Sequence, residues 1–264
     1  MNKRCHYSLY FAIIIIALHF ETANAQERPF LFTFVTPDAA TNTAILHYDA
    51  AYGRQTFEPL GGGNFEQTFG IHTGLSESLT LIARLGLAHD NASTQSSQHV
   101  ELLKRVLGSQ SRIVDFSFGP GIRHEYSGTN VLLGRAVIGR HFNTWQLFSN
   151  CLLEKPLSNK RDEIDLFLTM GWSYQVTPSL QFGLEAVGQD LEGFWLEEET
   201  EGGAVLFIGP TIVADVPFTA LTVTLGGGPI VRATKSVRTS LAPRDLQTSK
   251  EDGYVVRAAF NYKF

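Results

Sequence analysis

A serine nucleophile activated by a histidine base would draw on the histidines that lie, beyond the first 25 residues, in the stretches LHYDA, GIHTG, LAHDN, QHVEL, RHEYS and GRHFN. An activated nucleophile needs a base within hydrogen-bond reach, itself oriented by a third polar group. None of these stretches presents a His-x-Ser pair, and His89-Asp90 is too little to build a protease site on. No catalytic residue, no cofactor-binding residue and no metal ligand is assigned, and no cofactor is expected. The acidic stretch DLEGFWLEEETEGG, with Asp190, Glu192, Glu197, Glu198, Glu199 and Glu201, could collect divalent cations, but its spacing matches no EF-hand loop and it reads as a solvated loop.

The remaining charged and polar residues matter through their placement, which the hydrophobic pattern sets. In EIDLFLTMGWSYQ the even positions Ile164, Leu166, Leu168, Met170, Trp172 and Tyr174 are apolar, and the odd ones include Asp165, Thr169, Ser173 and Gln175. That is the period of a strand with one greasy and one polar face. It recurs in LTLIARLGL, in LQFGLEAVGQ and in the terminal YVVRAAFNYKF. Alternation places His47, Asp49, Glu66, His72, Arg84, Asp115, Arg135, Asn150, Glu154, Asp165, Glu185, Arg257, Asn261 and Lys263 on the polar side. Of these, Glu66, His72, Arg84, Asp115, Arg135, Asp165, Glu185 and Arg257 are the candidate lumen-lining set.

The first 25 residues carry Lys3 and Arg4, then the apolar block YFAIIIIALHF, then Ala23-Asn24-Ala25, the order of a secretory signal peptide, with cleavage expected before Gln26. The block is about half the roughly 20 apolar residues that a spanning helix needs. Removing two basic residues and one acid with it takes the formal charge from −5 to −6. A mildly acidic chain argues against a nucleic-acid partner, which would call for a clustered basic surface. Cys5 leaves with the signal, so Cys151 has no partner for an intramolecular disulfide.

Segments of about ten alternating residues between turns are the pattern of a transmembrane barrel, whose apolar face meets lipid and whose polar face lines the lumen. Strands are expected near 42–52, 64–73, 79–88, 112–125, 130–142, 145–155, 163–176, 180–189, 203–215, 220–231 and 253–264. Eleven is the wrong parity for a bacterial single-chain barrel. Short connections (GLSES, NT, VTPS) alternate with long ones (190–203, 232–252) only if the stretch 89–111 hides one more strand. QHVELLKRVLG at 98–108 is the candidate, although Val100, Leu103, Val106 and Leu107 also fit helical spacing. The expectation is therefore an all-β, antiparallel, up-and-down transmembrane barrel of about 12 strands over 42–264. Segment 26–41 precedes it, resting in the periplasm or tucked into the lumen as a plug. Trp145, Trp172, Tyr174, Tyr262 and Phe264 are placed to form interfacial girdles.

The terminal row Tyr254, Val256, Ala258, Phe260, Tyr262 and Phe264 resembles the signal by which bacterial outer-membrane proteins reach their insertion machinery. With the leader and the strand count, the chain resembles small outer-membrane β-barrels of the porin-like kind. GLEAVGQDLEGFWLEEETEGGAVLFIGP is similar to uncharacterised exported barrel proteins of Gram-negative bacteria, a likeness that brings no assigned activity. The resemblance implies an outer-membrane location, with membrane lipid, lipopolysaccharide and the insertion machinery as partners. It also implies a narrow channel for passive permeation of small solutes, charge rings setting ion preference. A non-conducting barrel working through its outer loops is the alternative. A lipid-modifying enzyme is a further one, although nothing here resembles the His-x-Ser-Asn-Gly stretch of outer-membrane phospholipases. The loop carrying Arg232, Lys235, Arg238, Arg244 and Lys250 is expected beside the acidic one at the outer mouth. Substrate identity and oligomeric state are not legible.

Overall fold

The computed structural model describes residues 29–35, 43–53, 65–90, 93–108, 114–157, 164–194, 204–234 and 252–264. The stretch 1–25 expected to be a leader, residues 109–111 of the expected turn, and residues 195–203 and 235–251, which hold most of the expected acidic and basic loops, lie outside them. Twelve strands follow one another in chain order: β1 (Ala44–Gly53), β2 (Phe65–Ser76), β3 (Leu79–Asp90), β4 (Ser93–Leu107), β5 (Asp115–His124), β6 (Asn130–His141), β7 (Trp145–Pro156), β8 (Asp165–Thr177), β9 (Leu180–Gln189), β10 (Val205–Asp215), β11 (Leu221–Arg232) and β12 (Gly253–Lys263). Among the described residues one 3₁₀ turn, Leu191–Phe194, follows β9.

Each strand pairs antiparallel with its sequence neighbours, and β1 pairs with β12, so the sheet closes into a barrel. At the seam Tyr48 faces Phe260 and His47 faces Asn261, while the Phe264 amide donates to the Ala44 carbonyl at 2.9 Å. Closure leaves no open edge, the condition a sheet must meet in hydrocarbon, where no water satisfies a free N–H. The ladder between β10 and β11 is interrupted once. Phe207 pairs with Ile230 and pairing resumes at Thr211 with Gly226, the interval holding Pro210 and Pro229, which have no N–H to give.

The hidden strand is present and longer than the expected 98–108: β4 begins at Ser93, and Asp90 pairs with Ser93, so the ladder extends through most of the stretch before it. Its helical-looking spacing dissolves on inspection of the faces. Ser97, His99, Glu101 and Leu103 are buried, whereas Val100, Leu102 and Val106 are exposed, with an irregularity between Arg105 and Leu107 shifting the register near the end. Leu103 thus belongs to the opposite face from the residues it was grouped with, and period two prevails.

Polarity settles which kind of barrel this is. The outward side chains of mid-strand, such as Leu85, Ile122, Leu153, Met170, Leu184 and Leu225, are exposed, while Asp49, Glu101, Arg123, Glu154, Asp165 and Glu185 are buried. A fold in water buries its apolar face. Here the apolar face is outermost, the inverse arrangement, as a lipid-facing barrel requires. One end of the barrel has short connections (77–78, 142–144, 178–179), and the aromatic residues Phe142, Trp145, Trp172, Tyr174, Tyr262 and Phe264 stand exposed around it. The Phe142 and Trp145 rings stack there at 3.6 Å. Short turns of this kind are those expected at the periplasmic end of such barrels.

Candidate functional site

Inward positions of a closed barrel converge, so residues far apart in sequence meet across the lumen. The seam cluster joins β1 to β12: His47 Nε2 lies 2.7 Å from Asp49 Oδ2, His47 Nδ1 lies 2.8 Å from Asn261 Oδ1, and Arg257 donates to Asp49 Oδ2 at 2.8 Å. A second cluster ties β6 to β4. Arg135 donates through Nε and Nη2 to the two oxygens of Glu101, at 2.7 and 2.8 Å, and His99 Nε2 lies against the same carboxylate. The fork of a guanidinium matches a carboxylate in this bidentate way, which holds both side chains in one geometry. Near the long-loop end, Arg123 of β5 binds Glu154 of β7 with two donors and also reaches Glu125. Tyr126 donates to Glu66 at 3.0 Å. At the opposite end Gln146, Ser173 and Gln181 form a neutral hydrogen-bonded belt.

Segment 29–35 lies inside the barrel, every residue of it buried. Glu185, on the inward row of β9, takes three successive backbone N–H groups: Leu31 on Oε2 at 2.8 Å, Phe32 and Thr33 on Oε1 at 3.0 Å each. Asn150 of β7 completes the grip, accepting the Phe34 N–H at 2.7 Å and donating to the Phe34 carbonyl at 2.9 Å. The guanidinium groups of Arg84 and Arg135 each lie over the Phe34 ring, 4.5 and 4.4 Å from its centroid, with the His72 ring stacked at 6.0 Å. Arg257 lies 5.0 Å from the Phe32 ring. The favourable electrostatics of a cation over a ring face strengthen when water is excluded.

The candidate residues thus fall into different settings. Arg84, Arg135, Glu185, Arg257 and His72 gather around the inserted segment. Glu66 and Asp165 stand toward the long-loop end, and Asp115 is buried at the other end of the barrel. His99, Glu101, Arg123 and Glu125 were not singled out. For His99 and Glu101 the usable signal is the pair His-x-Glu at strand spacing within 98–108, the stretch read as a strand from the parity of the count although its apolar residues also fit helical spacing. Asn150 was placed on the polar side, but its partner comes from a segment with no strand pattern, which no alternation could reveal.

Ser97, His99 and Glu101 form an inward Ser-x-His-x-Glu row on β4. Ser97 Oγ has no hydrogen-bond partner among the described residues. The oxygens that could surround a divalent cation come from Asp165, Asp190 and Glu192, one from each lying within 4.8 Å of the others, all three buried. Glu192 also accepts the Leu166 N–H at 2.9 Å.

No family model matches the chain, and no curated protein matches it. Solved structures do. A KdgM porin in complex with disordered oligogalacturonate is similar at a TM-score of 0.58 and 9% identity, covering 83% of this chain and 99% of that one. The KdgM porin in another structure gives 0.55 at 8% identity, with the same coverage. An outer membrane channel from Pseudomonas putida F1 gives 0.51 at 9% identity, covering 92% of this chain and all (100%) of that one. At such identities the likeness is one of fold: the chain has the fold of outer-membrane porins and channels.

Proposed function

We propose that this protein is an outer-membrane channel of a Gram-negative bacterium through which small solutes permeate passively. The observation that carries the reading is the inverted polarity of a closed twelve-strand barrel, apolar outside and charged within. Its charged inner residues are arranged by strand register into clusters at successive levels, the form in which a pore tunes ion preference. The fold neighbours are porins and channels, one of them binding oligogalacturonate, and this supports a transport role over a catalytic one.

A second reading, a non-conducting barrel that works through its outer loops, is favoured by one observation, the segment 29–35 lying within the lumen. Conductance of the refolded protein in a planar bilayer, intact and with 26–41 deleted, separates the two. Discrete steps in the deleted form support the channel. Silence in both forms refutes it and moves the function to the loops. The outward row Tyr254, Val256, Phe260, Tyr262 and Phe264 is exposed, with Ala258 half-buried among it. In this reading that row is also the surface offered to the insertion machinery, so Phe264→Ala lowers the assembled fraction in membranes while leaving the refolded barrel intact.

A further inference from the structure

The lumen around 29–35 is shaped for what occupies it. Most of the inner face is polar, yet it carries two apolar patches where the segment lies: Ile82, Leu103, Val137 and Phe148 receive Phe30, Phe34 and Val35. Phe207, Ile230, Val255 and their neighbours receive Leu31 and Phe32. Two glycines complete the relief. A Cβ on Gly171 would stand 2.7 Å from the Phe30 ring, and one on Gly226 would stand 2.7 Å from Leu31 Cδ1. Any side chain at either position would displace its guest. Packing of this kind distinguishes a seat from a passage that a peptide merely enters.

The polar grip is directed at the main chain. Glu185 is fully buried, and the donors facing its oxygens are the consecutive amides of Leu31, Phe32 and Thr33. Asn150 pairs with both the N–H and the C=O of Phe34, as one strand pairs with another. A buried carboxylate demands charge-assisted donors. A run of successive N–H groups is a feature of peptides that sugars and inorganic ions lack. The aromatic position is read separately, by the two guanidinium groups over Phe34.

We propose that the lumen holds a binding site for short apolar peptides whose backbone bends around the Glu185 carboxylate and whose aromatic residue lies against Arg84 and Arg135, and that residues 30–34 fill this site in cis as a tethered occupant. The site rests on the barrel alone; its consequence for transport, a pore closed by its own strap and a preference for peptide solutes, rests on the channel reading.

The test uses the barrel lacking 26–41, its folded state checked by heat-modifiable migration, and a fluorescent synthetic peptide PFLFTFV. Saturable binding to the deleted barrel is expected, with affinity for the intact protein at least about tenfold lower because the tethered copy competes. N-methylation of the peptide at the amides matching Leu31, Phe32 and Thr33, or Glu185→Gln in the deleted barrel, should each weaken binding by about tenfold or more, the scale of lost charge-assisted bonds. A greasy cavity would be indifferent to either change. If the deleted barrel does not fold, the full-length chain with Leu31→Pro and Thr33→Pro, which lacks two of the three donors, takes its place and is expected to bind the peptide. A folded barrel of either kind that takes up no peptide, or takes the N-methylated one equally well, overturns the proposal. Peptide binding without conductance refutes the channel and leaves the site. Conductance that ignores the peptide refutes the site and leaves the channel.

Discussion

Replacing Glu101 by Gln asks whether the lumen is dry at the level of the strap. The Glu101 side chain is fully buried and accepts from Arg135 Nε, Arg135 Nη2 and His99 Nε2. The amide keeps the shape, but it removes the charge and turns one acceptor into a donor facing a guanidinium. Removing one partner of a buried pair leaves an uncompensated charge and costs about 3–5 kcal/mol. The same change in a pair exposed to water costs about 0–1 kcal/mol, because solvent takes over the released group. With a urea dependence of roughly 2 kcal/mol per molar, a loss of ~4 kcal/mol moves the unfolding midpoint down by about 2 M. The assay is urea unfolding of the refolded protein in micelles, followed by heat-modifiable migration. A shift smaller than about 0.5 M at unchanged slope refutes the reasoning and makes the lumen wet here. Adding Arg135→Met should restore most of the midpoint, since the stranded charge goes with it.

Met170→Arg, on the lipid face in the middle of β8, should lower the stability of the barrel in liposomes by about 2–4 kcal/mol, read from the unfolding midpoint. Gly171→Leu places a side chain where the Phe30 ring now lies. The Leu31, Phe32 and Thr33 amides, protected in the native chain by Glu185, should then exchange hydrogen markedly faster while the strand amides do not change. Trp145→Ala removes the stack with Phe142 and should cost about 1 kcal/mol. Quenching of tryptophan fluorescence by lipids brominated near the headgroup should fall with it. Unchanged quenching would place this rim outside the interface.

How far the architecture was legible depended on whether period two was the only signal present. In β8 every even residue from Leu166 to Tyr174 is apolar, and the strand lies at Asp165–Thr177, within two residues of its expected bounds. In β4 the same period was overlaid by an accidental helical one, since Leu103 faces inward among apolar inward neighbours. There the parity of the strand count carried information that the local sequence did not. The site divides along the same line. Glu185, Arg84, Arg135 and Arg257 could be placed on the inner face because alternation fixes side. Their convergence on Phe32 and Phe34 could not be foreseen, because it depends on a segment without strand periodicity whose hydrogen bonds go to side chains at a separation of over a hundred residues, as between Leu31 and Glu185.

The inner ion pairs have a geometric office that bears on every functional reading. The backbone ladder ties each strand to its immediate neighbours, and in a closed barrel the strand number and register stagger set the mean radius, leaving the local shape of the cross-section to the side chains. Arg135 and Glu101 connect β6 with β4, and Arg123 and Glu154 connect β5 with β7, each skipping a strand. Gln146 of β7 reaches Gln181 of β9 in the same manner at the short-turn end. These ties link second neighbours across the concave face, while Arg135 and Arg257 at the same time lie against the strap rings. Charges in this lumen therefore act as braces between second-neighbour strands as well as sources of potential, so a substitution among them removes a tie together with its charge. A selectivity change measured on Arg135 has to be compared with Arg84, whose guanidinium faces the same Phe34 ring from another strand, before it is attributed to charge alone.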